Sequence, residues 1–229
     1  MSARSAALVP AFNAAATIRA VVTDTRPILE PVVVVDDGSA DDTAARAAAA
    51  GAEVLRHAAN RGKGAALVTG LRHLAAAGVD RALTLDADGQ HLPDQIPLLL
   101  AASDAAPGAI VVGVRRKEGF EIKRVARFGN WIADRLLRWI AGRSLPDTQS
   151  GFRVYPVAAT LALGTRGTRY DFETEVLLRA ARRGMPVLGV PVAVYYPPVA
   201  ERISHYRPWG DTVRIIRSVL RVLVRNAPA

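Results

Sequence analysis

An α/β fold with a mainly parallel central sheet is the class this sequence predicts, and three observations carry the expectation. Short apolar runs rich in β-branched residues alternate with Ala-rich helical stretches of about 10–15 residues. One run, Val32-Val33-Val34-Val35, is apolar without alternation, as expected of a strand buried on both faces. Polar or glycine-bearing clusters then follow strand after strand, and parallel sheets bind their ligands outside the carboxyl ends of the strands.

Taken in order, Ala6 to Pro10 reads as the first strand. Ala11-Phe12-Asn13 is a turn, with Asn13 placed to cap a helix from Ala14 to about Thr25. The Val32–Val35 strand runs into Asp36-Asp37-Gly38-Ser39, after which Asp41 or Asp42 caps a helix that Gly51 stops. Glu53–Arg56 is a third strand, and Asn60-Arg61-Gly62-Lys63-Gly64 is a glycine loop opening a helix over Ala65–Ala77. Arg81–Leu85 is the fourth strand and ends in the turn Asp86-Ala87-Asp88-Gly89-Gln90-His91. Pro93 begins a further helix at the position that tolerates proline best, and Ile110–Gly113 is a fifth strand.

The character changes from Glu121 onward. Ile122 to Ala141 reads as a basic amphipathic helix, with Lys123, Arg124 and Arg127 among Val125, Phe128 and Trp131. Gly151–Tyr155 is a strand, Phe172–Arg183 a helix, and Val187–Val190 and Val192–Tyr195 are strand pieces separated by Pro191. A last helix spans about Asp211 to Val224, with Arg214, Arg217 and Arg221 on one face. No repeat or low-complexity tract marks a boundary, so residues 1–229 are read as a single domain.

Composition narrows the functions. Half the residues are apolar, which excludes a disordered chain, and the absence of cysteine excludes disulfides, a thiolate nucleophile and Cys-ligated zinc. No signal-peptide segment is visible, and the longest apolar run, Val187 to Val199, is cut by Pro191, Pro197 and Pro198, short of the roughly 20 residues a bilayer span needs. The net charge of +9 is uneven: residues 1–114 hold nine Lys and Arg against twelve Asp and Glu, residues 115–229 twenty-one against nine. An acidic first half suits a metal site; a basic second half suits phosphate, a membrane surface or nucleic acid.

Asp86 and Asp88 are the sharpest chemical signal. Residues i and i+2 of an extended segment point the same way, so both carboxylates converge just past a strand end. Two like charges held that close call for a cation, and an all-oxygen set completed by phosphate oxygens fits Mg²⁺ or Mn²⁺. A solvated acidic turn is the alternative for such a pair alone.

The ordered set Pro10-Ala11-Phe12-Asn13, Asp36-Asp37-Gly38-Ser39 with Asp41 and Thr43, Asn60 to Gly64, and Asp86 to Gln90 resembles family 2 glycosyltransferases of the GT-A fold. Gly113-Val114-Arg115 and Asp147-Thr148-Gln149-Ser150-Gly151-Phe152-Arg153 extend the likeness, which covers roughly residues 6–205 and is strongest to the dolichyl- and polyprenyl-phosphate sugar synthases. The resemblance implies a GT-A (Rossmann-like) nucleotide-diphospho-sugar transferase fold with amphipathic helices in the C-terminal half. It implies a nucleotide-sugar and metal half over 1–114 and a basic, membrane-facing acceptor half over 115–229.

Residue by residue, the resemblance assigns Asp37 to the nucleotide base, with Pro10 and Asn13 as walls, whereas Asp36 is the structural carboxylate of that pair. Arg61 and Lys63 would serve the phosphates and Asp86 and Ala87 the donor; Asp86, Asp88 and Gln90 would hold the metal, with Asp88 also counted as catalytic. His91 is expected only to begin the next helix, and Arg153 to anchor structure. Arg115 is the first choice for an acceptor phosphate, with Arg202 and Arg127 behind it; Gly113-Val114-Arg115 lacks the family's Ser, and Arg202-Ile203-Ser204-His205 only partly matches the family pattern. An anionic phosphate acceptor needs no general base, whereas a hydroxyl acceptor does, and Asp147 and Glu173 are then the residues to test. A buried ion pair explains Glu173 equally well.

The implied activity is inverting, metal-dependent transfer of a hexose from a GDP- or UDP-linked sugar to a lipid acceptor, most simply polyprenyl phosphate, by a protein peripheral to the cytoplasmic membrane face. The basic stretches fit either contact with an anionic membrane surface or packing on the domain, and the C-terminal helix leaves homo-oligomerisation open. Transfer to a glycolipid hydroxyl is the enzymatic alternative. A sugar-1-phosphate nucleotidyltransferase would want a Gly-rich basic loop after the first strand, where Pro10 to Asn13 stand. Nucleic-acid binding rests on charge alone and no motif supports it.

Overall fold

The computed structural model describes residues 3–115 and 145–195. The amphipathic helix expected over 122–141 with Arg127, the 202–205 segment with Arg202, and the last helix expected over 211–224 lie outside the described residues.

The described elements run β1 (Ser5–Ala11), α1 (Ile18–Thr25), β2 (Val32–Asp36), α2 (Thr43–Ala49), β3 (Glu53–Arg56), α3 (Lys63–Ala76), β4 (Arg81–Thr84), α4 (Ile96–Ala105), β5 (Ile110–Arg115), β6 (Arg153–Pro156), α5 (Val157–Ala162), α6 (Asp171–Arg182) and β7 (Val187–Val192). The strands form one sheet in the order β3-β2-β1-β4-β6-β5-β7. Only β6 runs against its neighbours β4 and β5; β1–β2, β1–β4, β2–β3 and β5–β7 pair in parallel.

Strand alternation splits the core into two layers. Ala7, Val9, Val32 and Val34 face one side with Ile18 and Val22 of α1, Ala47 of α2 and Leu99 of α4. Ala6, Leu8, Val33 and Val35 face the other with Leu67 and Leu71 of α3 and Phe172 and Val176 of α6. The four valines therefore have no solvent face, and each contributes on the order of 1.5 kcal/mol by burial. The uninterrupted run in the sequence has this cause.

Several boundaries differ from the sequence expectation. Helix α1 starts at Ile18 and not at Ala14, because residues 13–15 are claimed by another loop. Asn13 N–H donates to Ser39 Oγ (2.8 Å), Ala14 N–H to Thr43 Oγ1 (2.8 Å) and Ala15 N–H to Asp41 Oδ2 (3.1 Å). Strand β7 is continuous through Pro191; it is the outermost of the described strands, a place where a missing N–H can be tolerated. Residues 193–195 are not a second strand piece: Val194 makes an isolated bridge to His91, and Tyr195 N–H donates to Gln90 O (2.9 Å). Strand β6 starts at Arg153, two residues later than expected, and the short helix α5 follows it without a sequence signal that had marked it.

Candidate active site

Every strand but β6 ends on the same sheet edge, and β6 begins there, Thr84 of β4 lying opposite Arg153. That edge carries a cleft of about 880 Å³, lined by Pro10, Phe12, Asp37, Gly62, Lys63, Asp86, Ala87, Asp88, Gln90, His91 and Arg115, together with Gln149 to Gly151, Arg169 and Tyr170. Asp37, the glycine loop and the central acidic turn thus meet at one place.

The first two loops are laced together. Besides the three bonds from residues 13–15, Asn13 Oδ1 accepts Ala40 N–H (2.9 Å), with Asn13 itself at φ 48°. Asp36 is fully buried, accepts Ser39 N–H (3.0 Å) and pairs with Arg56 (3.1 Å). Much of the Asp-Asp-Gly-Ser-x-Asp-x-Thr pattern is therefore scaffold. Pro10 stands in the cleft wall, whereas Asn13 does not and is occupied in this lacing.

Asp37 is 2 % exposed and holds the glycine loop. Its Oδ1 accepts from His57 Nδ1 (2.7 Å) and Arg61 N–H (2.9 Å), and its Oδ2 from Gly62 N–H (2.6 Å). Arg61 contributes this backbone N–H, while its side chain is exposed and outside the cleft wall. Gly64 is required by close packing, since a Cβ there would stand 2.6 Å from Phe172 Cβ and 2.8 Å from Gly167 O. Ala65 N–H donates to Thr168 O (3.0 Å), so the segment before α6 seals onto the start of α3.

Lys63 links the two halves of the cleft. Its Nζ lies 2.5 Å from Asp86 Oδ1 and 2.8 Å from Glu173 Oε1, with the Tyr170 ring 5.8 Å away. Burial alone would lower its pKa, but Asp86 and Glu173 outweigh that and hold the ammonium well above its ordinary value. Glu173 is 3 % exposed, lies behind Lys63 and is outside the cleft wall.

In the acidic turn, Asp86 accepts from Lys63, and Asp88 Oδ1 accepts Gln90 N–H (3.0 Å). Burial and then the Asp86 charge push Asp88 up to about 6, whereas burial's effect on Asp86 is overcome by Lys63, which lowers it. Thr17 Oγ1–H donates to Ala87 O (2.5 Å) and ties α1 to the turn. His91 does more than begin the next helix. Its bare Nδ1 accepts Asp86 N–H (3.1 Å), its ring stacks on Phe152 at 5.1 Å, and burial lowers its pKa to about 4, so it is a neutral brace.

The donor set fits a hard divalent ion. Two carboxylates in one wall carry more negative charge than Lys63 alone offsets, and burial together with the Asp86 charge pushes Asp88 up. All their ligating atoms are oxygens. Among the described residues no group of three or more His, Asp or Glu side chains forms a metal cage, so such an ion would rely on Asp86, Asp88, Gln90 and substrate oxygens.

Arg115, at the end of β5, reaches the cleft and is held by Asp147 through Nε (2.7 Å) and Nη2 (3.0 Å). Burial would raise Asp147, but the Arg115 hydrogen bonds and charge outweigh it and lower its pKa. Asp147 and Glu173, the two carboxylates expected to serve a hydroxyl acceptor, are thus each bound to a cation. Arg153 is fully buried and anchors structure: it donates to Thr148 O, Ser150 O, Glu173 O and Tyr155 OH.

Sequence reasoning missed Gln149 to Gly151, Arg169 and Tyr170 as cleft residues. Gly151 carries a sharp test, because a Cβ there would meet Asp86 Oδ1 at 2.5 Å and Cγ at 2.8 Å. Gly151→Ala is expected to displace that carboxylate and weaken Mn²⁺ binding at least about tenfold, with little loss of thermal stability. Calorimetric titration with Mn²⁺ and a melting curve separate the two effects, and unchanged Mn²⁺ affinity would remove Asp86 from the metal set.

No helix among the described residues is long and apolar enough to cross a membrane. Comparison with known proteins agrees with the geometry. An undecaprenyl-phosphate mannosyltransferase of Micrococcus luteus is 31% identical over 70% of this chain and 70% of its own length. A UDP-N-acetylglucosamine--dolichyl-phosphate N-acetylglucosaminyltransferase of Methanococcus voltae is 29% identical over 82% of this chain and 84% of its own. Among solved structures, glucosyl-3-phosphoglycerate synthase of Mycobacterium tuberculosis with phosphoglyceric acid aligns at TM-score 0.73 and 25% identity, over 96% of this chain and 80% of that one. The same enzyme with Mn²⁺, UDP and phosphoglyceric acid aligns at TM-score 0.73 and 24% identity over 100% of this chain and 80% of that one, a likeness of fold. Residues 6–163 match the family described as Glycosyl transferase family 2, and with the GT-A sheet and its acidic turn in place, this chain belongs to that family of glycosyltransferases.

Proposed function

We propose that this glycosyltransferase moves a hexose from a nucleoside-diphosphate sugar to the phosphate of a polyprenyl lipid, with inversion and with Mg²⁺ or Mn²⁺ bound at Asp86, Asp88 and Gln90. The observation that carries the reading is the convergence of Asp37, the Gly62–Lys63 loop, Asp86, Asp88 and Arg115 around one cleft. The relatives that act on undecaprenyl and dolichyl phosphates support the acceptor class.

Asp37 receives the base, and the start of α3 presents Lys63 to the diphosphate. A bound divalent ion supplies Lewis-acid neutralisation of the leaving diphosphate. Arg115, oriented by Asp147, binds the acceptor phosphate and aligns one of its anionic oxygens with the anomeric carbon. That oxygen forms the new C–O bond as the bond from the anomeric carbon to the diphosphate oxygen breaks and its electron pair leaves with the nucleoside diphosphate. No proton has to move, which suits a site whose two candidate bases, Glu173 and Asp147, are tied to Lys63 and Arg115. A hydroxyl acceptor would need one of those carboxylates freed.

The chain as a whole, residues 1–229, is read as one transferase domain. Its basic second half rests on an anionic membrane at the cytoplasmic face, where the lipid phosphate is presented. The test is transfer from labelled UDP- and GDP-hexoses, with Mn²⁺, to polyprenyl phosphate or to a glycolipid. Label is expected on the lipid phosphate only, and to be lost on adding EDTA. Label on the glycolipid with none on polyprenyl phosphate would overturn the acceptor.

A further inference from the structure

The reading above leaves the base open between uracil and guanine, and the bonds already made by Asp37 bear on that choice. An ionised carboxylate offers about four acceptor positions. Oδ1 has two donors, His57 Nδ1 at 2.7 Å and Arg61 N–H at 2.9 Å, and Oδ2 has one, Gly62 N–H at 2.6 Å. One position on Oδ2 remains, and the side chain lines the cleft beside Pro10, Phe12 and Asn60.

Uracil brings a single ring N–H, flanked by two carbonyl oxygens. Guanine brings two adjacent donors, the ring N1–H and the exocyclic amino group, and asks for both carboxylate oxygens at once. We infer that Asp37, with three of its four acceptor positions filled by the protein, selects a uridine nucleotide over a guanosine one, and that His57 is the positioning residue that closes the position guanine would need.

His57 is suited to that task. It is 8 % exposed, its N–H donates to Asp36 O (2.9 Å), and its Nε2 lies 2.9 Å from Thr69 Oγ1 on α3. With the Thr69 hydroxyl donating to Nε2, Nδ1 carries the proton, and the ring presents a fixed donor to Asp37 Oδ1. Two backbone N–H groups and one ring thus set both the rotamer of Asp37 and its remaining capacity. A guanine in the same slot would keep one donor unpaired in a buried place, the kind of mismatch by which polar sites discriminate.

This inference rests on the nucleotide-sugar reading of the cleft and is tested apart from it. UDP and GDP are titrated into the full chain with Mn²⁺ by calorimetry. UDP is expected to bind ten- to a hundredfold more tightly than GDP. His57→Leu, which frees an acceptor position on Oδ1, is expected to narrow that ratio at least fivefold, and His57→Gln, which keeps an amide donor, to restore part of it. Equal affinity of the unaltered protein for UDP and GDP would overturn the inference while leaving the donor reading intact. A ratio unchanged in a folded His57→Leu would remove His57 from it. Should neither nucleotide bind, the donor reading itself fails. If His57→Leu does not fold, the ratio measured on the unaltered protein still decides.

Discussion

Asp88→Asn is expected to lower Mn²⁺-dependent transfer on the order of a thousandfold, and at the same time to make the metal-free protein more stable at neutral pH. Burial and the neighbouring Asp86 raise the Asp88 carboxyl from 3.8 to about 6. A carboxyl raised in the folded state favours folding when protonated and opposes it when ionised. Its contribution is fully present below the unfolded value and lost as pH rises through about 6. At pH 7 and above the ionised group therefore costs roughly 2 kcal/mol, after allowance for its partial exposure. Asparagine removes that charge and still offers an oxygen to Gln90 N–H. Urea denaturation in EDTA should show the variant ahead by about that amount at pH 7.5, with the two proteins converging as pH falls toward 4. A site built for stability would show the opposite sign. Retained Mn²⁺-dependent transfer in the variant, or no stability gain at pH 7.5, would deny the turn its role.

What the sequence made legible and what it hid follow from range. The Val32–Val35 run and the Asp86–Asp88 pair are local signals: the valines form β2, and both carboxylates line the cleft, although they sit in a turn beyond the end of β4. The meeting of the four clusters was legible too, because parallel strands must end on one edge. Gln149 to Gly151 reach the cleft only because β6 is reversed, and no feature of residues 147–156 announces that reversal. Arg169 and Tyr170 enter because the segment before α6 closes on the glycine loop, where Gly62 and Gly64 leave room. In the sequence those two glycines belong to a phosphate-binding loop, and their contacts show that they also serve packing. His91 looked like the start of a helix, since its bond to Asp86 N–H and its stacking on Phe152 depend on tertiary placement. In Asp-Asp-Gly-Ser the sequence marks a polar cluster after β2, but the lacing of two loops and the His57 brace needed distances.

The most severe loss of stability is expected at Arg153, a buried cation whose guanidinium donates to three carbonyl oxygens and one phenol. Thr148 O and Ser150 O, at 2.8 and 2.7 Å, belong to the loop that carries Asp147 and Gly151, and Glu173 O, at 2.8 Å, belongs to α6. The guanidinium therefore holds together the two segments that supply Arg115's carboxylate and Lys63's. Arg153→Met fills much of the volume but leaves those buried acceptors without donors, at roughly 1 kcal/mol or more each, so a loss of about 3 kcal/mol or more is expected in urea denaturation. Arg153→Lys should recover less than half of it, because one ammonium cannot span acceptors on both segments as a planar fork does. The site should suffer beyond the fold. At temperatures where Arg153→Lys remains folded, Mn²⁺ affinity is expected to fall severalfold, since Gly151 no longer confines Asp86. A loss below about 1 kcal/mol in Arg153→Met would mean that water or a rearranged loop satisfies the carbonyls, and the loop's hold on the acidic turn would have to come from Thr84, whose hydroxyl donates to Gly151 O at 2.7 Å.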